Sequence, residues 1–220
     1  MDATKGGPPL PPRVPSALDP VTDVPLDCSA ALICGEFSAR VEALDLTGCR
    51  VEGSTFLGSE FDPVRMTDTI FEDCDLSGAL FRRASLRRVE FRRCRMSGVA
   101  WPGAEFCDVR FVECKLDEAH FRMSKGERIE FTECAAAGID FVEARWLGAR
   151  LLRCDLTGAE FSNAKHGARL HGSKLDSVLG ATALAGAIID STQLVPLATG
   201  LFGGLGIVID DTPEQDGGRS

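Results

Sequence analysis

From Leu46 to Phe161 a large apolar residue recurs at every fifth position: Leu46, Val51, Phe56, Phe61, Met66, Phe71 and onward, through Trp101, Trp146 and Leu156. Only Gly126 and Ala136 interrupt the series, in 24 positions. Neither the 3.6-residue period of a helix nor the two-residue period of a strand generates such a pattern. A strict short repeat predicts a solenoid, in which each unit hides its apolar side only by stacking on its neighbours.

The repeat has internal structure. Two residues before each centre stands a second small or apolar residue, as at Ala79, Ala84, Val89, Cys94, Val99 and Ala104. The residue between the two is mostly polar, as at Asp75, Glu90, Arg95, Glu105 and Lys115. Each five thus points two side chains inward and the rest outward. The size of one coil follows from Cys74, Cys94, Cys114, Cys134 and Cys154, spaced by 20 each time. The aromatic centres obey the same spacing, with Phe61, Phe81, Trp101, Phe121, Phe141 and Phe161 in one series and Phe71, Phe91, Phe111 and Phe131 in another. Four fives per coil make an all-β, four-sided parallel tube with aromatic stacks on two opposite walls. At a strand spacing of about 4.8 Å, residues 46–194 would form about seven and a half coils, roughly 36 Å long.

Segments such as CDLSG (74–78), CKLDE (114–118), IDFVE (139–143), CDLTG (154–158) and AEFSN (159–163) resemble the pentapeptide repeat family, over roughly residues 41–194. The resemblance implies a right-handed quadrilateral β-helix. The ending STQLVPLATGLFGGLGIVID is similar to that of the gyrase-protecting, quinolone-resistance members. In those, C-terminal segments join two tubes, and the rod mimics DNA on type II topoisomerases. The resemblance therefore implies a protein partner, DNA gyrase, and a homodimer. The alternative is a scaffold for another protein, unrelated to topoisomerase. A continuous negative stripe would favour mimicry, and a mixed surface would favour the scaffold.

Charge bears on that choice. The net charge of -9 divides into -2 over residues 1–40, -4 over 41–194 and -3 over 195–220. A body this weakly acidic, with no basic excess, argues against direct nucleic-acid binding. No run of 18 apolar residues exists, so no membrane span is expected. The start, MDATKGGPPLPPRVP, lacks the pattern of a signal peptide, and a cytoplasmic location is the expectation. Nine cysteines, an odd count, then read as free thiols.

Residues 1–25 carry no hydrophobic period and are expected to be a disordered, proline-rich tail, within which PPLPPR looks like a proline-motif ligand. Residues 26–45 are expected to cap the first coil. Residues 195–209 are expected to cap the tube and, as the resemblance implies, to dimerise, with a helix at about 196–203 started by Ser191 or Thr192 and ended by Gly203 or Gly204. Leu194, Leu197, Leu201 and Leu205, with Phe202 beside them, give it an apolar face. GIVI (206–209) reads as a strand and 210–220 as an acidic, disordered tail.

No catalytic motif, phosphate loop or metal spacing stands out, so neither enzyme activity nor a cofactor is expected. The cysteine ladder reads as core packing, since zinc needs ligands converging from several directions. Seven arginines between Arg82 and Arg95 form the one basic cluster. A shift of one coil sets Arg82 on Asp62, Arg88 between Asp68 and Asp108, Arg92 on Glu72, Arg93 between Asp73 and Glu113, and Arg95 on Asp75. Arg83 and Arg87 lack a stacked acid and are the candidates for partner contact. The missing centres Gly126 and Ala136 predict a bulge or kink at MSKGERIE, with Trp146 available to fill the space.

Overall fold

The computed structural model describes residues 7–21, 27–38 and 41–207. The chain winds into a right-handed, four-walled parallel β-helix that ends in one short α-helix. Its walls are named here by one centre each: Phe61, Met66, Phe71 and Leu76. Strands Glu60–Glu72, Ala84–Arg92, Glu105–Val112 and Lys125–Thr132 run continuously across the Met66 and Phe71 walls. The other two walls are held by single bridges, such as Asp75↔Arg95↔Lys115↔Ala135↔Asp155 on the Leu76 wall.

Strict 20-residue stacking joins six successive levels, from Arg50 through Ile70, Glu90, Arg110 and Glu130 to Arg150. Outside them the coils are shorter. Arg150 lies over Arg169 and Arg169 over Ile188, 19 residues apart, and Leu32 lies over Arg50, 18 apart. The expected cap at 26–45 is thus already coil, with strands Asp27–Ser29, Ala31–Ile33 and Val41–Thr47 in parallel register.

The centres fill the tube. Phe71, Phe91, Phe111 and Phe131 stack with centroids 4.6–5.0 Å apart. The Phe61 wall stacks in the same way, with Phe81 on Trp101 at 4.0 Å. Rings from the two walls meet edge to face, as Phe111 and Phe121 do at 5.8 Å. All ten aromatic centres named above are buried. Such pairs add about 0.5–1.5 kcal/mol each beyond area burial.

The residue two after a centre turns the corner with positive φ, except after Phe61, where Pro63 stands. Glycine takes this place at Gly48, Gly78, Gly98 and Gly158, but on one corner Asp68, Arg88, Asp108 and Arg128 adopt φ of 51–60°. A left-handed non-glycine residue costs about 1–3 kcal/mol, so these side chains must be held by contacts of their own.

Two expectations are corrected. The register between Glu105–Val112, Lys125–Thr132 and Arg145–Leu147 is unbroken, so MSKGERIE carries no bulge. Ile129 leans into the space beside Gly126, where an added Cβ would lie 2.3 Å from its Cδ1. Trp146 stacks over Gly126, packs against Phe131 and Phe141, and donates Nε1–H to Ser124 Oγ at 2.9 Å.

The second concerns the tail. Residues 7–15 lie against the tube as an extended strap. The backbone N–H of Leu10 donates to Asp108 Oδ1 and that of Arg13 to Asp68 Oδ1, both at 2.9 Å. The strap leads back to Asp19–Val21, which pairs with Ala31–Ile33 as part of the first coil.

At the other end the α-helix spans Leu194–Gly204, two residues earlier than expected, after a 3-10 turn at Ser191–Gln193. Asp190, not Ser191 or Thr192, is the cap. Its carboxylate accepts the Thr192 N–H, and the Gln193 side chain accepts the Asp190 N–H, both at 2.9 Å. The expected strand at 206–209 falls outside the described residues after Ile207, as does all of the expected tail at 210–220.

Candidate functional site

The described interior is filled by side chains. Cys74, Cys94, Cys114, Cys134 and Cys154 are buried beneath one corner and continue into Ser54 at one end and Ser173 at the other. Each thiol faces backbone carbonyls, as Cys114 Sγ does Phe91 O and Val112 O at 3.4 Å. Ser54 Oγ donates to the equivalent carbonyls of Ile33 and Glu52. Thiol and hydroxyl thus fill the same small polar niche. The adjacent Cys94 thiol and burial push the Cys74 thiol far above its ordinary range, so the reactive thiolate is suppressed. Among the described residues no cluster of His, Cys, Asp and Glu could hold a metal ion.

The charged groups lie on the outside. The corner Asp68–Arg88–Asp108–Arg128 alternates in sign from coil to coil. Arg88 reaches Asp68 with Nη2–Oδ2 at 2.7 Å, and Arg128 reaches Asp108 with Nη2–Oδ2 at 2.9 Å. The Arg128 guanidinium holds the Asp108 carboxyl down at about 2, aided by the Leu10 N–H, and Arg88 lowers Asp68 in the same way. The neighbouring corner pairs Arg93 with Asp73 at 2.8 Å and Arg153 with Glu133 at 2.8 Å.

The arginine belt is thus largely self-satisfied, though several partners differ from simple stacking. Arg82 pairs with Glu60 at 2.5 Å, and Asp62 is taken by Arg83. Arg83 is therefore not free of an acid. Its corner position, with φ of 47°, swings the side chain diagonally toward the previous coil. Arg92 binds Glu90 on its own strand at 2.9 Å, while Glu72 is shared by Arg93 and Arg50. Arg87 forms no ion pair among the described residues.

Arg87 lines an open groove of about 620 Å³ on the Met66 wall, with Lys125, Arg145, Glu105, Cys107 and Leu147. On this wall the stacking rule of the corners fails. Lys125, Arg145 and Lys165 lie directly over one another in register. Three exposed cations at about 4.8 Å spacing, with no ion pair among the described residues, are a repulsive arrangement that an anionic group would relieve.

The C-terminal helix has two apolar sides. Leu197 (7% exposed) closes the tube over Ala181 and Leu184, with Leu201 half-buried beside it. Gly200 permits this approach, since a Cβ there would meet Val178 O at 3.0 Å. Leu194, Val195 (80% exposed), Phe202, Leu205 and Ile207 face outward. The expected single face Leu194–Leu197–Leu201–Leu205 is therefore divided between cap and surface. Among the described residues no helix is long and apolar enough to cross a membrane.

A tube of stacked fives with two apolar ladders, positive-φ corners and a side-chain-filled interior defines the class. The chain belongs to the pentapeptide repeat family, whose repeat region matches residues 44–121 and 84–161. Among curated relatives it is similar to the quinolone resistance pentapeptide repeat protein QnrB96 of Scandinavium goeteborgense, 37% identical over 71 residues. That match spans 30% of this chain and about a third (33%) of the relative. Among solved structures, full-length QnrB1, a plasmid-mediated fluoroquinolone resistance protein, superposes with a TM-score of 0.51 at 26% identity, covering 79% of this chain and 88% of that one. A trypsin-treated variant of QnrB1 aligns with a TM-score of 0.47 at 25% identity, over 87% of this chain and 96% of its own.

Proposed function

We propose that this protein is a non-enzymatic binding protein of the quinolone-resistance type, which acts in the cytoplasm on a type II topoisomerase, DNA gyrase, and modulates quinolone action. The likeness to full-length QnrB1 over most of both chains carries this reading. The filled interior supports a role exerted through the outer walls. The exposed Leu194, Val195, Phe202 and Leu205 support a homodimer joined at the C-terminal ends. Supercoiling and cleavage-complex assays with purified gyrase, with and without a fluoroquinolone, test it. Reduced drug-induced cleavage is the expected result, and no effect at about tenfold molar excess removes the reading.

The charge pattern favours a different manner of contact from phosphate imitation. Acids and bases alternate on the corners, and cations stack on the Met66 wall, so no wall carries a continuous negative stripe across its described residues. This favours the second reading, a scaffold for another protein, unrelated to topoisomerase, that engages its partner by mixed charge and shape. Competition with linear DNA separates the two. Displacement of DNA from the enzyme supports mimicry, and no binding to the enzyme supports the scaffold.

A further inference from the structure

The strap meets its corner with a matched period. In PPLPPR (8–13) the four prolines have no N–H, so Leu10 and Arg13 carry the only two backbone donors. Both are used, on Asp108 and Asp68. Three residues of polyproline II advance about 9.3 Å, and two coils of the tube advance about 9.6 Å. A donor every third residue therefore meets an aspartate every second coil. The alternate coils contribute Arg88, between the two aspartates, and Arg128, beyond Asp108, which fix the carboxylates in place. Arg110 adds a third contact, donating Nη2–H to the Pro9 carbonyl at 2.6 Å.

The same three-residue period places apolar contacts. Pro9 is buried and Pro12 half-buried, while Pro15, though exposed, passes close to Gly48, where an added Cβ would lie 3.3 Å from its Cδ. Leu10, Pro11 and Arg13 stay exposed. One edge of the strap thus seats on the tube while the others face solvent.

We propose that the Asp68–Asp108 corner, with Arg110, is a binding site for polyproline-II segments of the pattern Pro-Pro-x-Pro-Pro-x, occupied in the resting protein by its own residues 8–13. Attachment in the same chain gives the strap a high effective concentration, so few contacts suffice to hold it. A proline-rich segment of a partner protein with the same spacing of free N–H groups competes for the same carboxylates. This inference is independent of the topoisomerase reading.

The test uses the full chain carrying Leu10→Pro and Arg13→Pro, which deletes both donors while keeping the backbone preference for polyproline II. Loss of nuclear Overhauser contacts between residues 7–15 and the Asp68–Asp108 corner, read by NMR, reports release of the strap. A fluorescein-labelled peptide of residues 7–15, GPPLPPRVP, is then titrated into the variant and the unaltered protein by anisotropy. The expected result is binding to the variant at least about tenfold tighter than to the unaltered protein, whose site is filled. The peptide with proline at both donor positions is expected not to bind. A strap that stays docked without its two N–H groups overturns the proposal. So does equal binding to both proteins, equal binding of the all-proline peptide, or no binding to the variant once its strap is free.

Discussion

The Asp68–Arg88–Asp108–Arg128 corner and the Lys125–Arg145–Lys165 edge sit side by side and share the same 20-residue register, yet they treat charge in opposite ways. On the corner every carboxylate finds a guanidinium one coil away and an N–H from the strap. On the edge Lys125 lies over Glu105, but Arg145 lies between two cations. The fold is indifferent to the choice, because stacking aligns whatever the sequence places 20 residues apart. The corner is closed upon itself, and the edge is left for something else to neutralise.

The comparison can be broken most severely at Asp108, whose side chain is 2% exposed. Asp108→Ala strands Arg128 and removes the Leu10 acceptor, and is expected to cost about 3 kcal/mol of stability by urea unfolding. A loss below about 1 kcal/mol would put the corner on a level with an ordinary surface pair. Acid should act on the same groups more gradually. Asp68 and Asp108 are facing Arg88, Arg128, Cys107 and the N–H groups of Leu10 and Arg13, and their folded pKa values lie below the ordinary carboxylate range. Their contribution is therefore complete above about pH 4 and lost as pH falls toward 2. Protection of the Leu10 and Arg13 amides should be constant from pH 7 to about 4 and decline below it.

On the edge, packing rather than charge is expected to dominate stability. Gly126→Ala would set a Cβ 2.3 Å from Ile129 Cδ1 and 3.1 Å from Phe106 O. It should cost about 1–2 kcal/mol in thermal melts, because Ile129 can yield but the carbonyl cannot. The smallest effect is the most telling. Arg145→Glu converts Lys-Arg-Lys into an alternating ladder and should raise stability by about 0.5–1 kcal/mol. If it destabilises instead, the edge is not repulsive in the folded protein.

The architecture could be read from the chain because each coil repeats one instruction. Phe61, Phe71 and Cys74 recur at 20, and their burial follows from spacing alone. The shortened coils were partly visible as the nine-residue step from Phe161 to Leu170. The charge pairs were harder to read. A guanidinium on a long side chain reaches diagonally, so Arg83 takes Asp62 and Arg82 takes Glu60 where strict stacking gives Asp62 to Arg82. The strap was hidden by its composition. A polyproline segment has no hydrophobic period, and its partners lie 55 and 98 residues away. Its signal was the placing of two N–H groups three residues apart, beside acids 40 residues apart at Asp68 and Asp108.

A β-helix ordinarily behaves as a row of neighbours, in which an end coil can peel away without disturbing those further in. The strap changes the range of that coupling at one end only. It ties the levels of Gly48, Asp68 and Asp108 to a single segment, so these coils should open together. Amide exchange there should converge on one opening free energy, whereas the coils stacked from Arg150 to Ile188 should show a graded series that rises away from the terminus.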